Sequence, residues 1–177
     1  MDMTPPIFTP ADLAVHRDAL IDINIEYVTW VTHQIERLFG LTVRDLLGMP
    51  VTEYVPSVID KVCGDQPPRG VFYLIHVGDE LAGICGLRHL RDGVAEVKRL
   101  YIRPAFRGQH LGRAALLRVL SDAKAFEYQS ICLDSGPFMG AAQRLYETFG
   151  FVDCPAYEGV EVPPMLHSAW RFMERDV

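Results

Sequence analysis

Cysteine is scarce in this chain of 177 residues, which contains four: Cys63, Cys85, Cys132 and Cys154. No two of them form a C-x-x-C pair, and no histidine stands at metal-ligand spacing from any of them. The sequence therefore favours neither a zinc site nor a dithiol redox motif. Because three of the four lie in apolar stretches, we expect small buried thiols in a reducing compartment, and no bound metal.

Long apolar runs and an excess of basic residues are also missing. No run approaches the roughly 18 apolar residues that a membrane span needs. The first ten residues lack the basic region and apolar core of a signal peptide. The formal net charge is -6, which argues against a nucleic-acid partner. Together these absences predict a cytoplasmic protein that binds neither membranes nor nucleic acid.

The composition is that of an ordinary globular domain, with 49% hydrophobic and 23% charged residues. We expect one domain over residues 1–177, with a helical part over 1–63 and a sheet-containing core over 71–173. The spacing of apolar residues predicts a long helix over Ala11–Phe39 and shorter helices over Thr42–Leu47 and Thr52–Val62. Residues 64–70, with two adjacent prolines, form a loop.

From residue 71 the pattern changes to strands joined by tight turns. Three strands in a meander are predicted first, and helices and strands alternate after them. The predicted elements are strands at Val71–Val77, Leu81–Leu90 and Val94–Ile102, then a helix at Gly112–Phe126, a strand at Ser130–Leu133, a helix at Phe138–Phe149, and strands beginning at Phe151–Val152 and at Trp170–Met173. This order predicts an α/β fold whose central mixed β-sheet has parallel neighbours in its second half.

The segment after the third strand combines two glycines with two arginines. Gly108 and Gly112 allow the backbone to approach a ligand closely. The helix that follows presents unpaired N–H groups and a partial positive charge, which together favour an anion. Arg107 and Arg113 can add charge-assisted hydrogen bonds. The segment is not a P-loop, because Gly112 is followed by Arg113 without Lys-Ser or Lys-Thr, and it lacks the Rossmann G-x-G-x-x-G spacing.

Two motifs in this half of the chain match a known family. The stretch Gln109–Ala114, QHLGRA, fits the pattern Q/R-x-x-G-x-G/A, and Ala141–Phe151, AAQRLYETFGF, fits A-x-x-L-Y-x-x-x-G-F. In order and separation the pair resembles the GNAT superfamily of N-acyltransferases over residues 71–151. The N-terminal helices are thinly covered by this resemblance. His110 departs from the pattern, since many members have glycine there.

The resemblance implies the GNAT fold, with acetyl-CoA as cosubstrate and no metal. It implies that the loop amides bind the coenzyme A pyrophosphate, and that the third strand lies against the acyl carbonyl and the pantetheine arm. The residues so implied to bind the coenzyme are Leu100, Tyr101, Ile102, Arg107, Gly108, Gln109, His110, Leu111, Gly112, Arg113 and Ala114.

Two catalytic residues follow from the same resemblance. Glu96, at the start of the strand before the loop, is the implied general base, directly or through water. The alternative is a solvated carboxylate paired with Lys98 or Arg99. Tyr146 is the implied general acid for the coenzyme sulfur. Its position on the apolar face of a helix equally fits a core aromatic residue.

The predicted function is transfer of an acetyl group from acetyl-CoA to an amine by direct attack in a ternary complex. The alternative is a non-catalytic GNAT-fold module that senses acyl-CoA or an amine. The acceptor is a small-molecule or protein amine, and a homodimer is one of the oligomeric states that the resemblance allows. We expect the acceptor pocket to be formed by the N-terminal helices and by loops near Pro67 and Pro155–Pro164.

Overall fold

The structure is a computed structural model, which describes residues 5–177. The strands are β1 (Ile7–Pro10), β2 (Val71–Val77), β3 (Glu80–Arg91), β4 (Val94–Ile102), β5 (Ser130–Ser135), β6 (Val152–Asp153) and β7 (Arg171–Asp176). The helices are α1 (Leu13–Phe39), α2 (Val43–Leu47), α3 (Val51–Cys63), α4 (Leu111–Ala125) and α5 (Gly140–Thr148). Short 3-10 turns lie at Pro104–Phe106 and Pro164–Leu166.

The strands form one sheet in the order β1-β2-β3-β4-β5-β7-β6. Strands β4 and β5, which α4 connects along the chain, are parallel, and the other neighbours are antiparallel. The predicted mixed α/β sheet, with helices on its faces and parallel strands in its second half, is confirmed. None of the helices in the described residues combines the length and the hydropathy that a membrane crossing requires.

The two faces of the sheet bury separate apolar clusters. Successive side chains of a strand point to opposite faces, and β2 follows this rule. Phe72 and Leu74 pack with α1 and α3, whereas Tyr73 and Ile75 pack on the other face, which α4 covers. The helices α1–α3 and α4 thus cover the two faces of the sheet, and the middle of each central strand is buried.

The N-terminal part of the chain is not purely helical. Ile7–Pro10 pairs with β2 as an edge strand, which the division at residue 63 did not predict. Four residues are too few for a periodic pattern, and Pro10 is tolerated because an edge strand needs no donor on its outer side. A single domain over residues 1–177 stays a prediction. The prediction that the chain lacks a signal peptide falls partly on residues 1–4, which lie outside the described residues.

Several element boundaries differ from those predicted. Helix α1 begins at Leu13 because the Asp12 side chain accepts a hydrogen bond from the Ala14 N–H, at 2.8 Å, and so caps the helix. The last predicted helix is shorter than expected, spanning Gly140–Thr148, because a turn in which the Met139 N–H donates to the Gly136 carbonyl precedes it. Strand β5 continues to Ser135 because it pairs with β7 over its whole length.

Strands β4 and β5 separate after a short paired stretch. They are in register only from Val94 to Glu96 on β4, although β4 continues to Ile102. An extra residue on β4 also makes a β-bulge against β3, because Ile84 faces Tyr101 while Gly86 faces Lys98. The separation opens a gap in the sheet beside α4, and the bulge changes the direction of the side chains that border it.

Candidate active site

A cavity of about 520 Å³ lies between the diverging end of β4, the N-terminus of α4 and α5. Its walls are mostly apolar, as is usual for a cofactor site. The residues that line it are Trp30, Leu100, Tyr101, Ile102, Phe106, Arg107, Gly108, His110, Leu111, Gly112, Arg113, Phe138, Met139, Ala141, Ala142, Leu145 and Tyr146. Of the residues predicted to bind the coenzyme, only Gln109 and Ala114 are not among them.

The N-terminus of α4 presents free backbone donors to this cavity. The first hydrogen bond of the helix runs from the Ala114 N–H to the His110 carbonyl, at 3.1 Å. The N–H groups of Leu111, Gly112 and Arg113 therefore have no partner within the helix. Such donors, together with the helix dipole, suit a phosphate or pyrophosphate anion.

The backbone conformation at His110, the residue that departs from the family pattern, is one that glycine adopts more easily. His110 caps α4 with a left-handed backbone, at φ 59°, which an L-residue adopts only at a cost of about 1 kcal/mol or more. Gly108, two residues earlier, has φ 81°. A Cβ on Gly112 would lie 3.6 Å from the Leu145 side chain, which is ordinary contact. The loop thus needs glycine-like backbone angles at 108 and 110, whereas Gly112 leaves room in the cavity.

The two arginines of the loop are held by aromatic rings and not by carboxylates. The Arg107 Nε donates to the Ile102 carbonyl at 3.0 Å, and its guanidinium lies 5.7 Å from the centre of the Trp30 ring. Arg113 lies 5.0 Å from the Phe149 ring. Among residues 5–177 neither makes an ion pair within 4.0 Å. Both charges are therefore available to an anion.

Tyr146 points into the same cavity from α5. The residue is buried, and its ring packs 5.9 Å from that of Phe151. Its hydroxyl has no hydrogen-bond partner among the described protein groups, yet it is not sealed from the cavity. Burial raises the pKa of the Tyr146 phenol well above its ordinary value, with smaller contributions from Tyr27 and Asp134. The phenol is protonated at neutral pH and faces the space that a bound ligand would occupy.

A second cavity, of about 270 Å³, adjoins the first and shares Met139 with it. Along β4, residues 97–99 line the second cavity and residues 100–102 line the first. The second cavity is lined by Tyr27, Val28, Val31, Thr32, Ile35, Leu46, Leu47, Tyr54, Val97, Lys98, Arg99, Asp134, Met139, Glu161, Val162, Pro163, Leu166 and Trp170. The N-terminal helices and residues 161–163, which we expected at the acceptor pocket, border this cavity, and the loop at Pro67 does not; that the acceptor binds here stays a prediction.

Two carboxylates face this second cavity, and neither was singled out from the sequence. Asp134, near the carboxyl end of β5, accepts a hydrogen bond from the Trp170 indole at 2.9 Å. Burial raises the pKa of Asp134, although the Lys98 charge opposes this. Burial also disfavours ionisation of Glu161, but Lys98 and Arg88 outweigh it and lower its pKa to about 2. The only local signal for Asp134 is a polar residue directly after the apolar run of β5.

Glu96 does not have the solvated environment of the alternative interpretation. Its side chain is completely buried, accepts a hydrogen bond from the Tyr157 hydroxyl at 2.8 Å, and forms an ion pair with Arg88. It is not solvated, and its partner is not Lys98 or Arg99. Lys98 instead bonds to Glu161, at 2.5 Å. Glu96 lines neither cavity, so its role as base stays a prediction.

The sequence itself matches known proteins. The profile of the acetyltransferase (GNAT) family matches residues 36–151. This chain belongs to that family. An uncharacterised N-acetyltransferase of Schizosaccharomyces pombe is 33% identical over 138 residues, which are 73% of this chain and 83% of the yeast protein. The N-acetylaspartate synthetase of Mus musculus is 30% identical over 104 residues, or 58% of this chain, but the match spans only 35% of that longer protein.

Solved structures share the GNAT fold along nearly the whole chain. The PaiA N-acetyltransferase of Thermoplasma acidophilum, crystallised with coenzyme A, superposes with a TM-score of 0.68 at 16% identity, covering 98% of this chain and 99% of that one. A GNAT-family acetyltransferase of Staphylococcus aureus gives a TM-score of 0.67 at 19% identity, with coverages of 97% and 99%. At these identities the likeness establishes the fold.

Proposed function

We propose that this GNAT protein transfers an acetyl group from acetyl-CoA to an amine by direct attack in a ternary complex. The observation that carries the proposal is the pair of adjoining cavities. One offers the unpaired N–H groups of α4 to an anion, and the other places a carboxylate, Asp134, beside the separated strands. A donor and an acceptor bound in the two cavities meet at their shared wall near Met139, without a covalent enzyme intermediate.

No cysteine of the described residues lines either cavity, which fits this direct route. Cys85 and Cys132 are buried in the sheet, and burial raises the pKa of both thiols, Cys132 to about 12. A neutral thiol is a poor nucleophile. In the proposed reaction the amine nitrogen forms the new C–N bond, the thioester C–S bond breaks, and the coenzyme sulfur leaves as a thiolate.

Coenzyme A would be held by residues at the first cavity. The backbone N–H groups of residues 111–113, with Arg107 and Arg113, suit the pyrophosphate. The unpaired edge of β4 at residues 100–102 suits the pantetheine amides, which can bond to an open strand as another strand would. The family resemblance and the wall of the cavity agree on these residues, apart from Gln109 and Ala114.

The amine must lose a proton, because an alkylammonium has a pKa of roughly 10 and cannot attack when protonated. Glu96 is the base implied by the family resemblance, but it is enclosed by Arg88 and Tyr157. Asp134 is the better placed carboxylate because it lines the second cavity, and burial raises its pKa and so its basicity. We therefore assign direct proton acceptance to Asp134.

The thiolate must gain a proton or a hydrogen bond as it leaves. Tyr146 suits this step because its hydroxyl is protonated, has no protein partner among the described residues and faces the coenzyme cavity. A positioned acid of this kind contributes about 10²–10⁴-fold to a rate. The same phenol would have no comparable task in a sensor that only binds acyl-CoA, which makes the enzyme the favoured alternative.

The release of free thiol tests the proposal. Purified protein, acetyl-CoA and a panel of primary amines should give an amine-dependent rise in free thiol together with an acetylated product of matching amount by mass spectrometry. A sensor module would bind acetyl-CoA in calorimetry without any amine-dependent thiol release. That result, over a panel including amino acids, polyamines and arylalkylamines, would refute the enzyme and favour the sensor.

A further inference from the structure

The second cavity contains a guanidinium, that of Arg99, which forms no close ion pair with a carboxylate of the described residues. Among residues 5–177, no carboxylate oxygen lies within 4.0 Å of Arg99. Its one hydrogen bond runs from Nη1 to the neutral amide oxygen of Asn24, at 2.8 Å, and it lies 5.9 Å from the Tyr27 ring centre. Since a guanidinium has five N–H donors, most of its donors are free for a ligand.

The direction of this side chain is fixed by the fold. Arg99 is the residue of the β4 bulge and has a left-handed backbone, at φ 48°. In a regular strand neighbouring side chains point to opposite faces, but the bulge lets Lys98 and Arg99 both line the cavity. Asn24 is completely buried and donates to the Leu20 carbonyl at 2.7 Å. The guanidinium is therefore anchored on a rigid amide.

The other cations around the cavity already have partners. Glu161 binds Lys98 at 2.5 Å, Arg88 at 3.2 Å and Lys61 at 3.8 Å, while Arg88 also pairs with Glu96. On the wall of the cavity Lys98 is paired with Glu161, whereas Arg99 forms no ion pair within 4.0 Å among residues 5–177. Arg99 is therefore the cation of this wall that is open to an anionic ligand.

The remaining wall of the cavity is apolar and the space is small. Its apolar contacts come mainly from Val28, Val31, Ile35, Leu47, Tyr54 and Leu166, around a volume of about 270 Å³. A polycation would meet the Arg99 guanidinium, which has no ion pair within 4.0 Å among the described residues, and a ligand with several charges would leave some of them against hydrocarbon. One anionic group on an apolar body satisfies both parts of the wall.

We propose that the acceptor is an amine that also carries a carboxylate on an apolar body, such as a hydrophobic α-amino acid, and that Arg99 binds this carboxylate. This rests on the proposed acetyl transfer. The guanidinium of Arg99 donates two parallel hydrogen bonds to the carboxylate of the substrate. The apolar side chain of the substrate lies among the aliphatic residues of α1 and α2, and its amine is directed towards Asp134. Arg99 is a substrate-binding residue in this scheme.

Matched amines test the proposal on the wild-type protein. Thiol-release rates would be compared for leucine and phenylalanine, for leucinamide, phenylalaninamide and phenethylamine, and for aspartate. Loss of a charge-assisted pair predicts kcat/KM about 10- to 100-fold lower for the amides and for phenethylamine. Aspartate should also react more slowly than leucine. Equal or faster reaction of the analogues that lack the carboxylate would overturn the proposal while leaving acetyl transfer intact, whereas no reaction of any amine would count against the proposed function itself.

Variants then test the assignment to Arg99. Arg99→Gln should raise KM for leucine and remove the preference over leucinamide, and an unchanged KM for acetyl-CoA, which is bound in the other cavity, shows that the fold is intact. Arg44→Gln, on an exposed arginine of α2 that lines neither cavity, is the matched control and should keep the preference. Arg99→Lys keeps the charge but not the two parallel donors of the guanidinium, so its preference for leucine over leucinamide should lie between those of wild type and Arg99→Gln. A folded Arg99→Gln protein that retained the carboxylate preference would overturn the assignment.

Discussion

Replacing Glu96 by glutamine removes the negative charge of a completely buried carboxylate, which forms an ion pair with the partly buried Arg88, while preserving the size of the side chain. The amide can still accept from the Tyr157 hydroxyl, now 2.8 Å from a carboxylate oxygen, but its NH₂ group then faces the Arg88 donor. Breaking a buried pair by removing one partner costs about 3–5 kcal/mol. Arg88 keeps its bonds to the Gly159 carbonyl, at 2.9 Å, and to Glu161, at 3.2 Å, so we expect a loss near the lower end, about 3 kcal/mol.

For a domain of this size, 1 kcal/mol corresponds to about 2–4 °C in Tm, so Glu96→Gln should melt about 6–12 °C below wild type. Thermal unfolding followed by circular dichroism measures this, with exposed Glu53→Gln as the control, which should stay within about 0.5 kcal/mol. An unchanged Tm in the Glu96 variant would refute the buried pair. The pH–rate profile of the folded Glu96→Gln variant then decides whether Glu96 takes part in removing the proton from the amine.

If Asp134 takes the proton, the profiles of wild type and Glu96→Gln should superimpose below the melting range. If Glu96 acts through water, kcat/KM of the variant should fall most at low pH, where free amine is scarce. The second outcome would restore the base implied by the family resemblance and refute our assignment of Asp134.

Three other predictions concern the two cavities. Gly112→Val should weaken acetyl-CoA binding in calorimetry while Gly112→Ala, whose Cβ fits 3.6 Å from Leu145, changes it less; equal affinities would contradict a phosphate site there. Tyr146→Phe should lower kcat by about 10²-fold or more with a smaller effect on the acetyl-CoA KM, and full activity would make the residue a core aromatic only. Burial raises the pKa of Asp134, so the folded state favours the neutral carboxyl group. The stability that this preference contributes is complete below the unfolded pKa of about 3.9 and is lost as the pH rises through the folded value. Asp134→Asn should therefore melt above wild type at pH 8, with the gap narrowing towards pH 4, and a variant less stable at both pH values would contradict the raised pKa.

The sheet and the coenzyme loop could be predicted because their signals are local. The β2–β4 meander has tight turns at Gly78 and Gly93, both with positive φ, and the motif from Arg107 to Arg113 joins a strand to a helix N-terminus. These signals require no knowledge of distant contacts. By contrast, β1 could not be predicted, since its pairing with β2 joins residues more than 60 positions apart.

The acceptor side depends on such distant contacts. The partners of Glu96 are Arg88, across the β3–β4 pair, and Tyr157, 61 positions away, whereas its sequence neighbours Lys98 and Arg99 have other partners. The bulge at Arg99 leaves no mark in the sequence, because arginine has no preference for a left-handed backbone. The side chains that meet at the second cavity, Arg99 and Asp134 among them, come from separate parts of the chain, so the sequence does not show that they lie together.

A structure of the protein with bound coenzyme A tests the central claim most directly, because we assign the donor to one of two adjoining cavities. We expect the pyrophosphate within hydrogen-bond distance of the backbone N–H groups of residues 111–113, the pantetheine arm along β4 at residues 100–102, and the thiol near the Tyr146 hydroxyl. A coenzyme bound in the cavity of Arg99 and Asp134, or with its pyrophosphate away from the N-terminus of α4, would contradict this assignment.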